Sequence, residues 1–313
     1  SVFIPFFPDP PLYLLKKVTD MNENILKYKG VEPIPNTEVL GFLQDIDYSK
    51  WITRDSDWVF DEYKNVFYNW IQQSNRNHLK GIEEFTHKQY CYGSTQSFDL
   101  FYIQNKDKRF RILKGDFFYH KACLSKGFKW DYLEDDLQEG DALIISVPFS
   151  DTGKSPEDLE NILLNCDKLN IPVLLDMCYY TIGKNIHVDL THPCIDTISF
   201  SLSKFADGLQ HFRCGLRLSR INRDDGIDLI NEYQQICKIS CAVGLSIMDN
   251  YHVDYNWDKF ETSYNLVCKE KDFEPSDTIV IGLGGSDYDE LNRGNSTNRV
   301  CIANDVWEKY NGV

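Results

Sequence analysis

The sequence predicts an α/β fold in which helices sandwich a mainly parallel central sheet. Short apolar runs such as DALIISVPF (141–149) and IPVLLDM (171–177) have the length and composition of buried strands. Segments with the apolar spacing of helices lie between such runs. Strands that alternate with helices in this way are typical of parallel sheets, because parallel neighbours need a long crossover connection.

The first half of the chain predicts an arm, a helix and two further strands. Residues 1–30 open with a proline-rich stretch, so we expect an N-terminal arm. Residues 61–85 space their apolar side chains as a helix does. The segment 89–104 predicts a strand, a turn at Gly93 and then a helix. The segment 109–120 predicts a strand that ends in an aromatic cluster.

The second half continues this alternation. Ser155 is a good helix N-cap and Pro156 suits the first helical position, so a helix is expected over 156–170. Three more strands are predicted beyond the run at 141–149, at 171–177, 197–203 and 214–220.

The C-terminal part departs from this order. It contains a helical segment at 227–238, irregular polar sequence, and two short strand-like segments at 278–285 and 299–303. The change predicts a large domain over 31–225 followed by an abbreviated α+β domain over 226–313.

Composition excludes several classes of function. The chain has 313 residues and a formal net charge of −15 with no basic stripe, so nucleic-acid binding is not expected. Its apolar runs are all shorter than the roughly 20 residues that a membrane span needs. Ten cysteines without regular spacing and seven scattered histidines predict neither a disulfide framework nor a metal site. We therefore expect a cytoplasmic protein that binds a small molecule.

Polar and aromatic side chains collect where the predicted strands end. In parallel sheets ligands bind at the carboxyl ends of the strands. These ends carry Gly93-Ser94-Thr95, Phe118-Tyr119, Ser150, Asp176 to Tyr179 and Ser201 to Lys204. The set lacks the Ser/His/Asp of acyl transfer, the paired carboxylates of glycosidases and the GKS/T of phosphate loops.

Each of these residues also has an ordinary interpretation. Lys204 could be a solvated residue after an edge strand, and Asp176 could cap a turn. The GST sequence at 93–95 matches many turns, and Tyr119 could simply pack in a core. The order in which the segments occur separates the two interpretations.

In that order the segments resemble the pyridoxal-phosphate-dependent aminotransferases of fold type I, the class I/II group. SLSK followed by RCG is similar to the lysine signature with its downstream arginine, and VLLDMCYY to the aspartate-x-x-tyrosine strand end. SDTG stands where the family has Asn-Pro-Thr-Gly, YGSTQSFDL is similar to the phosphate turn, and RVCIA to the C-terminal arginine segment. The resemblance extends from Leu79 to Ala303.

The resemblance implies pyridoxal 5′-phosphate as the cofactor and a role for each residue. Lys204 would form a Schiff base and carry a proton, Asp176 would protonate the ring nitrogen, and Tyr179 would donate to the ring 3-hydroxyl. Tyr119 would stack on the ring, with Phe118 as the alternative. The other cofactor-binding residues would be Ser94, Thr95, Ser150, Ser201, Ser203 and Arg213.

Several positions depart from the family pattern. Ser150 replaces the asparagine and Asp151 the proline, which changes the contacts near the ring 3-hydroxyl. Arg213 follows the lysine by nine residues rather than eight, so we expect a one-residue bulge. By the resemblance Arg299 would bind the substrate's α-carboxylate, and Arg293 could compete for that role.

The resemblance therefore predicts a pyridoxal-phosphate-dependent aminotransferase that acts on an amino acid or amine in a specialised biosynthetic pathway. A lyase, decarboxylase or cyclase of the same fold is an alternative, and a non-catalytic cofactor-binding relative is another. Family members are typically dimers, so we expect a homodimer with shared active sites. Residues 21–58 are expected to border the substrate.

Overall fold

The computed structural model describes residues 30–134 and 136–312. The predicted arm therefore lies outside the described residues, apart from Gly30. The helices are α1 Thr37–Asp45, α2 Val59–Ile71, α3 Ser94–Gln104, α4 Phe118–Leu124, α5 Leu159–Leu169, α6 Leu209–Phe212, α7 Gly226–Glu232, α8 Lys238–Asn250, α9 Tyr255–Glu270 and α10 Ala303–Tyr310. The strands are β1 His78–Lys80, β2 His87–Tyr92, β3 Arg109–Ile112, β4 Lys129–Tyr132, β5 Asp141–Ser146, β6 Val173–Asp176, β7 His187–Asp189, β8 Ile195–Ser201, β9 Cys214–Ser219, β10 Glu274–Pro275, β11 Ile281–Gly284 and β12 Asn298–Cys301.

A seven-stranded sheet forms the centre of the protein, in the order β2-β9-β8-β6-β5-β3-β4. Strands β4, β3, β5, β6 and β8 pair in parallel with one another. Within this sheet β9 alone runs against its neighbours β8 and β2. The predicted α/β class with a mainly parallel sheet is confirmed.

Helices cover both faces of this sheet, and β5 shows how its strands serve two cores. Leu143 and Ile145 belong to the core formed with α2, α5 and α8. Ala142 and Ile144 point the other way, into the core formed with α3 and α4. Burial on both faces explains why this strand is apolar throughout instead of alternating with polar residues.

A third core lies in the C-terminal part of the chain. Trp257, Phe260, Tyr264 and Val306 pack there between α9, α10 and the antiparallel sheet β10-β11-β12. Tyr179 belongs to the same cluster. This unit therefore abuts the edge of the main sheet at which β6 ends.

The proposed division at 225/226 remains a prediction, and the packing favours a later boundary. Asn231 of α7 accepts from Tyr90 N at 2.9 Å and donates to Tyr90 O at 2.8 Å. Helix α8 contributes Val243 and Ile247 to the core that contains α2. We propose that the boundary lies near Asp254, where α9 begins.

Two predicted helices have different limits. The helix predicted over 61–85 ends at Ile71, because the following residues pair as β1 with β7. The helix predicted over 156–170 begins at Leu159, since residues 156–159 form a turn closed by Leu159 N and Pro156 O at 3.2 Å.

The region predicted as irregular after 238 contains two long helices. The predicted helix over 227–238 ends at Glu232, and Gln234 has a left-handed φ of 54°. Helices α8 and α9 follow. The buried side chains Trp257, Phe260 and Tyr264 of helix α9 lie three and four residues apart, which is the spacing of a helix, so the expectation of irregular structure was wrong.

Two expectations from composition can be compared with the structure. All ten cysteines lie in the described ranges, and none of them is in a disulfide there. Within the same ranges, every helix is too short or too polar to cross a bilayer.

Candidate functional site

A cavity lies at the edge where the parallel strands of the main sheet end. Nine of the ten predicted cofactor-binding residues line it, namely Ser94, Thr95, Ser150, Asp176, Tyr179, Ser201, Ser203, Lys204 and Arg213. They come from the ends of β2, β5, β6 and β8 and from the start of β9. The antiparallel direction of β9 brings its first residues to the same edge as the last residues of the others.

One end of the cavity is built to hold an anion. Ser94 and Thr95 form the first turn of α3, where backbone N–H groups and the helix dipole favour negative charge. Arg213 Nη2 donates to Thr95 Oγ1 at 3.2 Å. Ser201 and Ser203 lie beside them, with their Oγ atoms 3.0 Å apart. Four hydroxyls and one guanidinium therefore line this part of the cavity, and we call these five residues (Ser94, Thr95, Ser201, Ser203 and Arg213) the anion cup.

The predicted bulge between the lysine and this arginine is absent from the strands. The register of β8 and β9 is continuous from Ile198–Leu218 to Ser201–Gly215. The extra residue is taken up in the connection, where α6 ends at Phe212 and Arg213 adopts a left-handed φ of 56°.

A buried acid occupies the middle of the cavity. Asp176 ends β6, is 5% exposed, and its Oδ1 accepts from Cys178 N at 3.0 Å. Burial raises the pKa of Asp176 to about 7, and the charge of nearby Asp116 adds to this effect. A cation bound beside Asp176 would restore its charged form.

His120 is a neighbour of this acid that sequence reasoning missed. Its Nε2 lies 4.0 Å from Asp176 Oδ2, and its Nδ1 lies 2.7 Å from the Tyr102 hydroxyl. Complete burial lowers the pKa of His120 to about 3, so the ring is neutral. In the sequence His120 only ends an aromatic cluster, and nothing local indicates that it lies beside Asp176.

Lys204 points into the cavity instead of solvent. Its Nζ donates to Val31 O at 2.6 Å. Burial lowers the pKa of Lys204, while the negative charge of Glu32 works in the opposite direction. A lowered pKa increases the fraction of neutral, nucleophilic amine. Gly30, which belongs to the segment 21–58 that is expected to border the substrate, also lines the cavity.

Besides Tyr179, the aromatic residue on the cavity wall is Phe117, which corrects the prediction of Tyr119 or Phe118 as the stacking residue. The Tyr119 hydroxyl donates to Asp99 Oδ1 at 2.9 Å, away from the cavity. Helix α4 already begins at Phe118, so the chain turns earlier than the strand prediction assumed. Asp116 Oδ1 fixes that turn by accepting from Phe117 N at 2.7 Å.

Two arginines lie behind Ser150. Arg299 Nη1 donates to Ser150 O at 2.9 Å and lies 3.5 Å from the Tyr179 hydroxyl. Arg293 Nη1 lies 3.3 Å from Ser150 Oγ. Arg293, which the sequence offered as an alternative to Arg299, therefore lies beside the same serine as Arg299. Asp151 is fully buried, and its Oδ2 accepts from Asn295 Nδ2 at 2.8 Å.

Comparison with solved structures identifies the architecture. MppP soaked with the product 2-ketoarginine has a TM-score of 0.62 at 12% identity, covering 90% of this chain and 96% of that one. The aromatic aminotransferase of Pyrococcus horikoshii has a TM-score of 0.57 at 14% identity, covering 97% and 91%. The pyridoxal-phosphate-bound C-S lyase of Staphylococcus hominis, complexed with L-cycloserine, has a TM-score of 0.58 at 13% identity, covering 96% and 83%.

The chain has the fold of these enzymes. The predicted resemblance to fold type I is thereby confirmed at the level of the fold. No protein-family model and no curated protein sequence matches the chain.

The side chains that line this cavity provide the kinds of groups that pyridoxal phosphate needs. An anion cup, a buried carboxylate and a half-buried amine lie along one cavity, as a phosphate, a ring nitrogen and an aldehyde require. The cup also has a backbone adapted to close approach. A Cβ atom at Gly93, whose φ is +73°, would clash with the Arg213 guanidinium.

Two further cavity residues were not predicted. Gln210 lines the cavity, and its buried Oε1 has no hydrogen-bond partner among the described residues. Cys178 Sγ lies 2.7 Å from Ser94 Oγ, between the cup and Asp176. Cys178 lay inside the quoted motif VLLDMCYY, whereas the short helix α6 that carries Gln210 has no recognisable pattern.

We expect Gly93→Ala to weaken cofactor binding and to destabilise the protein by about 1–3 kcal/mol. Alanine would be strained at a positive φ, and its methyl group would displace the Arg213 guanidinium from the cup. Urea unfolding and the dissociation constant for pyridoxal phosphate measure the two effects. Gly41→Ala in α1 is the control, since a Cβ there has no neighbour within 4 Å. Equal cofactor affinity in both variants would contradict this role of Gly93.

Proposed function

We propose that this chain is a pyridoxal-phosphate-dependent aminotransferase that acts on an amino acid or amine. One observation carries the proposal, namely that Lys204, Asp176 and the anion cup line a single cavity. The cavity lies at the carboxyl ends of the parallel strands, where sheets of this kind bind ligands. The similar solved structures, which include an aromatic aminotransferase, support the same reaction class.

The residues of the chain would divide the work of this reaction. When bound, the cofactor supplies an electron sink for the substrate's α-carbon. Lys204 would hold the cofactor's aldehyde carbon and then move a proton at the substrate's α-carbon. Asp176 would keep a proton on the ring nitrogen, with neutral His120 behind it. The Tyr179 hydroxyl would hydrogen-bond the ring 3-hydroxyl.

Other residues would bind the cofactor's phosphate, the face of its ring and the substrate's carboxylate. Ser94, Thr95 and Arg213 would hold the phosphate with charge-assisted hydrogen bonds. Phe117 would pack against the ring. Arg299 would bind the substrate's carboxylate, a task that suits its planar fork better than a lysine.

The proposal extends to assembly and context. A homodimer is supported by exposed apolar side chains around α3 and α7, namely Tyr92, Ile103, Leu229 and Tyr233. Exposed apolar surface of this kind marks interaction sites. We also propose a cytoplasmic location, given ten cysteines that form no disulfide within the described ranges, and a specialised biosynthetic role.

A lyase reaction is the second candidate. The C-S lyase of Staphylococcus hominis has a TM-score comparable to that of the aromatic aminotransferase. Both reactions need the same lysine, acid and anion cup, so the products must distinguish them.

Borohydride reduction followed by peptide mass mapping tests the proposal. We expect the purified protein to be yellow and the reduced cofactor to be attached to Lys204. Screening amino acids against the protein, with products identified by mass, then separates transfer from elimination. An unmodified Lys204 after reduction would refute the proposal. Colour without a response to any amine would favour a non-catalytic relative.

A further inference from the structure

A second buried acid, Asp116, lies at the cavity edge of the sheet, and the proposed function gives it no task. Asp116 is 8% exposed and follows β3, whereas Ser146 ends β5 and Asp176 ends β6. Ser146 and Asp176 are paired in the register of β5 and β6, and both line the cavity. The backbones of such paired strands are about 4.8 Å apart. Since Asp116 bonds Ser146 from the β3 side, Ser146 is the neighbour of both acids.

Three hydrogen bonds hold the Asp116 carboxylate in place. Its Oδ1 accepts from Phe117 N at 2.7 Å and from the Ser146 hydroxyl, and its Oδ2 accepts from Ser146 N at 3.2 Å. Hydrogen bonds from fixed donors favour the charged form of a carboxyl group. Burial raises the pKa of Asp116, whereas these bonds and the charge of Arg293 act in the opposite direction. Two residues that line the cavity, Phe117 and Ser146, are therefore bound to one buried carboxylate.

The charges of the two acids affect each other. Burial raises the pKa of Asp176 to about 7, and the charge of Asp116 contributes to this shift. His120 does not offset the repulsion, because burial lowers its pKa to about 3 and leaves the ring neutral. Two carboxylates in one buried site repel each other, and a cation beside them is attracted by both. A cation next to Asp176 would therefore be stabilised by Asp116 as well.

We propose that Asp116 is a positioning residue of this site, which acts with Asp176 to hold a proton on the ring nitrogen of pyridoxal phosphate. This inference rests on the proposed function, because it concerns the same cavity and the same cofactor. A ring with a protonated nitrogen carries positive charge there, so two nearby carboxylates stabilise it more than one does. Asp116 also holds Phe117, the residue that would pack against the ring, through its backbone N–H.

Pyridoxal phosphate and its deaza analogue, in which a C–H group replaces the ring nitrogen, test this without knowledge of the natural substrate. Both compounds carry the same aldehyde and phosphate for Lys204 and the anion cup, but only pyridoxal phosphate can place a protonated nitrogen beside Asp176. Absorbance titrations of the protein, after removal of bound cofactor, give both dissociation constants. We expect the unaltered protein to bind pyridoxal phosphate more tightly than the analogue. Asp116→Asn should lower the ratio of the two affinities by about 3- to 30-fold, because one nearby negative charge is lost.

Two further variants complete the experiment. Asp116→Ser also removes the charge but keeps a short side-chain acceptor for Phe117 N, so it should lower the ratio to a similar degree. Asp254→Asn is the matched control. The buried Asp254 carboxylate also accepts from a hydroxyl and a backbone N–H, those of Ser74 at 2.6 Å and Asn75 at 2.7 Å, but it does not line the cavity. Its substitution should leave the ratio unchanged. Melting temperatures report whether each variant is folded.

The outcomes separate the inference from the proposed function. If the folded Asp116 variants weaken binding of both compounds equally, or raise the ratio, Asp116 only supports the cavity wall and the inference is wrong. Equal affinity of the unaltered protein for both compounds also refutes the inference, whereas their attachment to Lys204 would still support the proposed function. If borohydride reduction attaches neither compound to Lys204 of the unaltered protein, the proposed function itself fails.

Discussion

Lys204→Ala is expected to abolish covalent attachment of the cofactor and to lower turnover by at least about a thousandfold. The side chain points into the cavity and donates to Val31 O at 2.6 Å, and its lowered pKa favours the neutral amine. Alanine has no nitrogen to bond the aldehyde carbon or to carry a proton. Borohydride reduction with mass analysis, and the rate with an amino acid found by screening, measure the two losses.

Lys80→Ala is the control for this variant. Lys80 is exposed, pairs with Asp189 at 2.5 Å and does not line the cavity. Both colour and rate should survive its removal. If Lys204→Ala and Lys80→Ala both kept the turnover of the unaltered protein, Lys204 would have no part in the chemistry.

Asp176→Asn is expected to retain the cofactor but to lower turnover by about a thousandfold or more. Removal of one preorganised electrostatic group from a buried site commonly has an effect of this size. The Asp176 carboxylate would hold a proton on the ring nitrogen, whereas a neutral amide would not. The turnover number at saturating cofactor measures this, and a rate near that of the unaltered protein would contradict the assignment.

Asp176→Asn is expected to lower turnover, but it should increase the stability of the cofactor-free protein at neutral and alkaline pH. Burial raises the pKa of Asp176 from 3.8 to about 7, so the folded protein keeps this proton to higher pH than the unfolded chain. The unaltered protein therefore loses stability as pH rises from about 4 to about 7, and no more above that. Asparagine does not titrate.

The variant should accordingly be more stable at pH 8, by up to about 4 kcal/mol, and equally stable at pH 3. Chemical unfolding at a series of pH values measures the difference. If the two proteins differ by the same amount at every pH, burial of the Asp176 charge does not limit stability.

Much of the fold and part of the candidate site could be predicted from sequence. Continuous apolar strands such as β5 predict a sheet that is buried on both faces. In such a sheet the polar residues that follow the strands lie together at one edge. Asp176 was found because it ends the apolar strand β6, and Lys204 because it lies three residues beyond the end of β8. Their positions depend on strand ends, which local sequence marks well.

The remaining site residues depend on features that local sequence does not mark. Phe117 replaced Tyr119 because the start of α4 shifts the register by two residues. His120 and Gln210 reach the site from the helices α4 and α6, whose positions depend on tertiary packing. Helix α9 carries its buried aromatic side chains at helical spacing, and the polar residues that surround them in the sequence obscured this pattern.

The opposed direction of β9 has a consequence for how the length of the chain can vary. Since β8 and β9 are adjacent, the distance between the lysine and the arginine follows from interstrand spacing, about 4.8 Å per step across the sheet. The intervening segment only has to return the backbone to the neighbouring strand. Insertions between 205 and 212 can therefore accumulate without separating the two ends of the cofactor site, which leaves that stretch open to acquire new contacts.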